Sequence, residues 1–233
     1  MGVLRSLRNL TRLTVGTAAV ASGGWYYLTY QSRFEPYQPP SDTGAADSLF
    51  SSSQYKRFNP EDNKTMHDMC VRRVPLKNLK PELVEEKGRL VEAFCQGIYG
   101  GIGYSIQRYY LSRKYKSAHP DQLWSLSSLR SSSYPVGTKI TDHFEVIAHT
   151  PESITVRCGD SPLKTEVRES DGLFEMVARV DEGQDVAVFE LKSLFFQGLG
   201  RSVDEPMPPW IQFLHRVYTK IWMEAAVRSC LKQ

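Results

Sequence analysis

Hydrophobic and polar positions alternate along the C-terminal half of the chain. From residue 139 the period is two, and the stretches KITDHFEVIAH (139–149), SITVRCG (153–159), LKTEVRES (163–170), LFEMVARV (173–180) and DVAVFELKSLFF (185–196) predict five strands rich in β-branched and aromatic residues. Turn chemistry separates them at Thr150-Pro151, Gly159 to Pro162, Ser170-Asp171-Gly172 and Glu182-Gly183-Gln184. Connections this short make sequential strands antiparallel neighbours. Alternation places Phe144, Val146, Ile154, Val156, Cys158, Phe174, Met176, Ala178, Phe189, Leu191, Ser193 and Phe195 on one face, and leaves Glu190 and Lys192 facing solvent.

The flanking segments have a helical period. MCVRRVPL (69–76) predicts a first strand. Pro81 then opens an amphipathic helix through Leu83, Val84, Leu90, Val91 and Phe94. A turn rich in glycine follows (Gly97, Gly100, Gly101, Gly103), and Ile106, Tyr109 and Tyr110 predict a second helix. Pro208-Pro209 precedes a long terminal helix whose apolar stripe is drawn through Trp210, Phe213, Leu214, Val217, Ile221 and Ala225, with Tyr218 and Trp222 on its flank. Residues 68–233 are thus expected to form one α+β domain. The Pro-, Ser- and Asp-containing stretch 33–67 is expected to be a linker, partly draped on the domain through Phe50, Tyr55 and Phe58.

The N-terminus has a different character. A basic tail (1–12) carries Arg5, Arg8 and Arg12, and residues 13–32 contain no charge. As a helix these twenty positions would extend about 30 Å, the thickness of a bilayer's hydrocarbon core. Trp25, Tyr26, Tyr27 and Tyr30 at the far end are interface-seeking aromatics, so the segment predicts a single transmembrane anchor. An arginine-bearing start with no acid before Glu35 favours the mitochondrial inner membrane, with the endoplasmic reticulum or another membrane as the alternative.

Those three arginines also account for the whole excess of 29 basic over 26 acidic side chains, so residues 33–233 are balanced. A nucleic-acid surface needs its basic excess on the folded domain, and none is expected here. Cys70, Cys95, Cys158 and Cys230 are dispersed, without a C-x-x-C pair or a histidine at ligand spacing, so no metal site is signalled. Gly101-x-Gly103 completes no dinucleotide fingerprint and follows a helix instead of a strand, so no nucleotide cofactor is expected.

Strand, two helices, an antiparallel meander and a long closing helix form an order that resembles the helix-grip fold of the START-like (SRPBCC) superfamily. The resemblance runs over residues 68–231. It lies in Pro135-Val136-Gly137 before the meander, in ESITVRCGD (152–160) with Leu163 following, and in Phe189 to Gly200 leading into the last helix. Within the superfamily the chain looks like a domain-of-unknown-function branch similar to polyketide cyclases and lipid-transfer proteins. The resemblance implies a curved antiparallel sheet wrapped on the C-terminal helix around an apolar cavity.

Residues expected to line that cavity are Phe144, Val146, Val156, Cys158, Phe174, Met176, Phe189, Leu191, Ser193 and Phe195 from the sheet, with Phe213 and Val217 from the helix. Asp160 is the first polar handle, followed by Asp142 and Ser193. No catalytic triad is legible: His143 and His149 are expected on the outer face, and His215 beside the helical stripe. The expected function is membrane-anchored binding or transfer of a hydrophobic small molecule such as a lipid, quinone or polyketide-like compound. The alternatives are a cyclase- or dehydratase-type enzyme and a membrane scaffold with a filled core. The cluster Arg108 to Lys116, which interleaves bases with tyrosines, is either a membrane-surface contact or a solvated helix face.

Overall fold

The computed structural model describes residues 23–39 and 47–232. The chain divides into two units between Gln31 and Ser32. Of the expected anchor, residues 13–22 lie outside the described residues. Residues 23–29 are helical, with the Thr29 hydroxyl donating to the Trp25 carbonyl at 2.9 Å. Among the described residues no helix is long and apolar enough to cross a membrane.

The second unit is an α+β fold built on a seven-stranded antiparallel sheet. Its strands are β1 (Arg33–Glu35), β2 (Met66–Pro75), β3 (Lys139–Ile140), β4 (Phe144–His149), β5 (Ser153–Cys158), β6 (Asp171–Asp181) and β7 (Val186–Phe196), in the order β1-β2-β7-β6-β5-β4-β3. Register aligns the apolar positions in rows that cross the sheet: Val146 faces Val156, which faces Phe174, which faces Ser193, which faces Asp68. A parallel row joins Ile154, Met176, Leu191 and Cys70. A register shift between Val146 and Ala148 bulges the edge of the meander.

Helices α3 (Pro81–Glu85) and α4 (Arg89–Tyr99) follow β2 as two pieces, because Gly88 between them adopts φ +91°. The single helix expected from Pro81 is therefore broken. α4 packs against the terminal helix α7 (Pro209–Cys230) at Gly97, where a Cβ would stand 2.7 Å from Ala226 Cα and against Ser229 Oγ. Between them lie α5 (Ser105–Tyr115) and α6 (Leu126–Ser131). The main core joins these helices to one sheet face, and Phe94 of α4 meets Phe189 with ring centroids 5.0 Å apart.

The opposite sheet face is covered too. α1 (Ser48–Ser51), capped by Asp47, and α2 (Ser53–Phe58), capped by Ser52, bury Leu49, Phe50, Tyr55 and Phe58 against Leu173, Leu194 and Phe196. Residues 33–39 and 47–67 are thus part of the packed unit, contributing β1 and a second small core. Under this cover Glu190 and Lys192 are only 8% and 6% exposed, which corrects the expectation that they face solvent. Lys192 Nζ lies 2.8 Å from Asp47, 3.1 Å from Glu175 and 3.5 Å from Glu190. Burial opposes the lysine's charge, yet the attraction of Glu175, Asp47 and Glu190 prevails and raises its pKa.

Two further expectations are corrected. LKTEVRES forms no strand. It loops over the edge of this face, and the carbonyls of Thr165 (2.9 Å) and Glu166 (2.6 Å) accept from the guanidinium of buried Arg157, which also grips Asp171. On α7 the buried residues are Thr219, Trp222, Met223, Ala226, Val227 and Cys230. At about 100° per residue these lie on the side opposite the stripe drawn through Trp210, Phe213, Leu214, Val217, Ile221 and Ala225. The helix has two apolar faces, and the one nearer its N-terminus is turned outward.

Candidate functional site

A half-open cavity of about 130 Å³ lies between the sheet and α7. Phe144 opens β4, Cys158 closes β5, Phe174 lies in the centre of its row on β6, and Phe195 is the last residue but one of β7. All four line the cavity, facing His215, Tyr218, Thr219 and Trp222 of α7, with Gln107 of α5 and His143 completing it. Gly172 stands between two of its walls: a Cβ there would be 2.9 Å from the Phe195 ring and 3.1 Å from Cys158 Sγ, so glycine lets the two side chains approach. Trp222 packs edge-on to Phe174 at 5.7 Å and to Tyr218 at 5.0 Å.

Polar groups enter this aromatic box at defined points. The Tyr218 hydroxyl donates to Gln107 Oε1 at 3.4 Å, joining α7 to α5 across the mouth. His215 Nε2 is 3.3 Å from Asp68 Oδ1 and 3.3 Å from the Thr219 hydroxyl, which itself donates to the His215 carbonyl at 2.9 Å. Asp68 is buried, and its second oxygen has only Arg216 Nε nearby, at 3.5 Å. Ser193, its cross-strand neighbour, is fully buried with no hydrogen-bond partner for its hydroxyl among the described residues.

His143 stacks edge-on against Phe144 at 4.7 Å. Burial, and then the charge of Arg168, lower its pKa against the smaller pull of Asp142 and Asp160. The imidazole at the cavity wall is therefore neutral at pH 7. Burial likewise pushes the Cys158 thiol up to about 12, which makes it an inert wall and not a nucleophile.

The remaining expected site residues lie elsewhere. Val146, Val156, Met176, Phe189 and Leu191 face inward but belong to the solid core, where α4 fills the space that a larger cavity would occupy. Phe213 is exposed and Val217 half-buried, and neither lines the cavity. Asp160 sits in an outer turn, bonded to Lys164 Nζ at 2.5 Å and to the Ser161 N–H at 2.7 Å. Asp142 is buried, but its carboxylate already accepts from Gln122 (3.2 Å) and Ser161 (2.8 Å). His143, expected on the outer face, is the group beside Asp142 that reaches the cavity. Sequence reasoning passed over Gln107 and Thr219, and it placed His215 only beside the stripe. The signal for His215 and Thr219 was their spacing with Trp222 and Met223 on one side of α7, whereas Gln107 on α5 left none.

A more open groove of about 580 Å³ runs along α4 and the end of α7, with Lys80, Arg89, Arg130 and Arg228 on its walls. Three of these cations are engaged: Lys80 donates to the Ser229 carbonyl, Arg89 pairs with Glu86 and Glu92, and Arg130 donates to the Gly100 carbonyl. Among the described residues no three His, Cys, Asp or Glu side chains gather to hold a metal ion, and all four cysteines are buried free thiols.

Comparison with protein-family models, with curated proteins and with solved structures returns no match for this chain. The seven-stranded antiparallel sheet closed by a C-terminal helix is compatible with a helix-grip fold.

Proposed function

We propose that this protein binds or hands over a hydrophobic small molecule, tethered to a membrane by residues 13–32 as a START-like carrier of the mitochondrial inner membrane. The observation that carries the reading is the aromatic cavity between the sheet and α7 with polar groups on its walls. About 130 Å³ is far below the roughly 300–1,000 Å³ of sites that enclose a whole drug-sized ligand. It is close to the apolar cavity of about 150 Å³ that accepts a benzene ring. The ligand class that fits is a single ring bearing a carbonyl or hydroxyl, as in a quinone, phenol or polyketide-like compound, with its alkyl tail leaving through the mouth beside Gln107 and Tyr218. Gln107, His143, His215 and Thr219 offer the hydrogen bonds such a substituent needs.

The test is mass spectrometry of lipids and metabolites that co-purify with the full chain, compared with a Phe174→Trp variant whose larger ring occupies the cavity. A ring-bearing lipid recovered from wild type and lost from the variant is the expected result. Equal recovery from both would overturn the reading. A second reading, a cyclase- or dehydratase-type enzyme, is favoured by one observation: a neutral imidazole, His143, stands at the wall, where it can take a proton from an enclosed substrate. Chemical change of the recovered compound on incubation with wild type, abolished by His143→Gln with binding retained, would select it.

A further inference from the structure

Two helices carry large apolar side chains outward on either side of the cavity mouth. On α5 the exposed residues are Ile106, Tyr109, Tyr110, Arg113 and Lys114, which follow the spacing i, i+3, i+4, i+7, i+8 of one helical face. On the first turns of α7, Trp210, Phe213 and Leu214 repeat that spacing and are 64%, 67% and 51% exposed. The Tyr218 hydroxyl donates to Gln107, so the two helices meet at one point on the cavity wall. Side chains of this size at helical spacing normally pack against something, and among the described residues nothing covers them.

Charge identifies the cover. No Asp or Glu occurs from Ala93 to Pro120 or from Pro206 to Met223, although residues 33–233 as a whole are balanced in charge. Arg113 donates to the Tyr109 hydroxyl at 2.9 Å with its guanidinium over that ring, and Lys114 lies over Tyr115. Neither cation makes an ion pair among the described residues, so both remain available to phosphates. Tryptophan and tyrosine rings interleaved with cations are the composition suited to the headgroup layer of a bilayer.

We infer that the outward faces of α5 and of the first turns of α7 lie on an anionic lipid bilayer, as a membrane contact separate from residues 13–32. The contact does not depend on the proposed ligand. It rests on that reading only in placing the cavity mouth at the headgroups, where a lipid could enter without crossing water.

The four native cysteines are buried, so a cysteine introduced at the surface can be labelled selectively in the full chain. An environment-sensitive fluorophore is placed at Tyr110→Cys, at Phe213→Cys, or, as a control, at Gln184→Cys in the exposed β6–β7 turn. Each is mixed with vesicles of phosphatidylcholine alone or with roughly one-third phosphatidylglycerol. The expected result is a severalfold emission rise at 110 and 213 only with the anionic vesicles, and none at 184. Adding Arg113→Gln and Lys114→Gln should lower the bound-to-free ratio about thirtyfold, at about fivefold per basic side chain. An equal rise on neutral vesicles, an equal rise at 184, or a rise without lipid that follows protein concentration would overturn the inference, the last by assigning the surface to a second copy. Flotation with neutral vesicles is read separately. Its absence would remove the anchor proposed for residues 13–32 and leave the α5–α7 contact standing.

Discussion

Thr219→Leu should stabilise the protein and close the cavity in one step. Thr219 is buried on α7 and lines the void, and its hydroxyl bonds the His215 carbonyl one turn earlier in the same helix. Removing that hydroxyl orphans nothing, since the carbonyl keeps its helical partner and His215 keeps Asp68. Leucine adds one heavy atom and exchanges an oxygen for carbon, a gain of about 1 kcal/mol from the extra apolar surface it buries, with a few tenths more from its better helix propensity. For a unit of this size 1 kcal/mol raises Tm by about 2–4 °C. Differential scanning calorimetry of the full chain, stripped of bound lipid with detergent, measures the change. The remaining space should be too small for a ring, so lipid recovery should fall as Tm rises. A drop of 1 kcal/mol or more would mean that the side chain meets atoms where the void is drawn, and the size argument for the ligand would fall with it.

Other substitutions test the framework around the site. Arg157→Leu leaves the Asp171 carboxylate buried without its partner and should cost about 3–5 kcal/mol in urea unfolding. Wild-type stability after that change would mean that the ion pair is open to water. Gly172→Ala drives a methyl against the Leu194 carbonyl, Phe195 and Cys158, and should destabilise by about 1–3 kcal/mol while shifting the ring signals of Phe195 in NMR spectra. His143 has its folded pKa lowered from 6.5, so between the two values the unfolded chain binds more protons than the folded one. Its contribution to stability should be full above pH 6.5 and be lost as pH falls from there through the folded value. His143→Gln should flatten that slope, and an unchanged slope would assign the pH dependence to other groups.

How much of this was legible in the sequence depended on which partner each residue packs against. The inward rows of the sheet could be read because a period of two needs no knowledge of what covers it, and Phe144, Cys158, Phe174 and Phe195 emerged as cavity walls on that basis. Lys192 and Glu190 were misplaced because their cover, residues 47–58, has no sustained periodicity of its own and is brought over them by pairings more than a hundred residues apart in the chain. α7 was rotated by half a turn because it is apolar on two sides, and periodicity alone does not say which side meets the sheet. LKTEVRES alternates like a strand, yet its carbonyls are recruited by the buried Arg157 guanidinium, an arrangement that leaves no local trace. The cavity proved smaller than expected for a similar reason: Phe94 and its neighbours on α4 occupy the interior, and only the placement of that helix reveals it.

The most direct measurement is photo-crosslinking of the full chain with an alkylphenol whose ring carries a diazirine, followed by peptide mapping. Adducts on Phe144, Cys158, Phe174 and the His215–Trp222 stretch, lost in Phe174→Trp, are the expected result. Adducts confined to the outward Trp210–Leu214 surface, or unchanged by the bulkier ring, would contradict a ligand seated between the sheet and its closing helix.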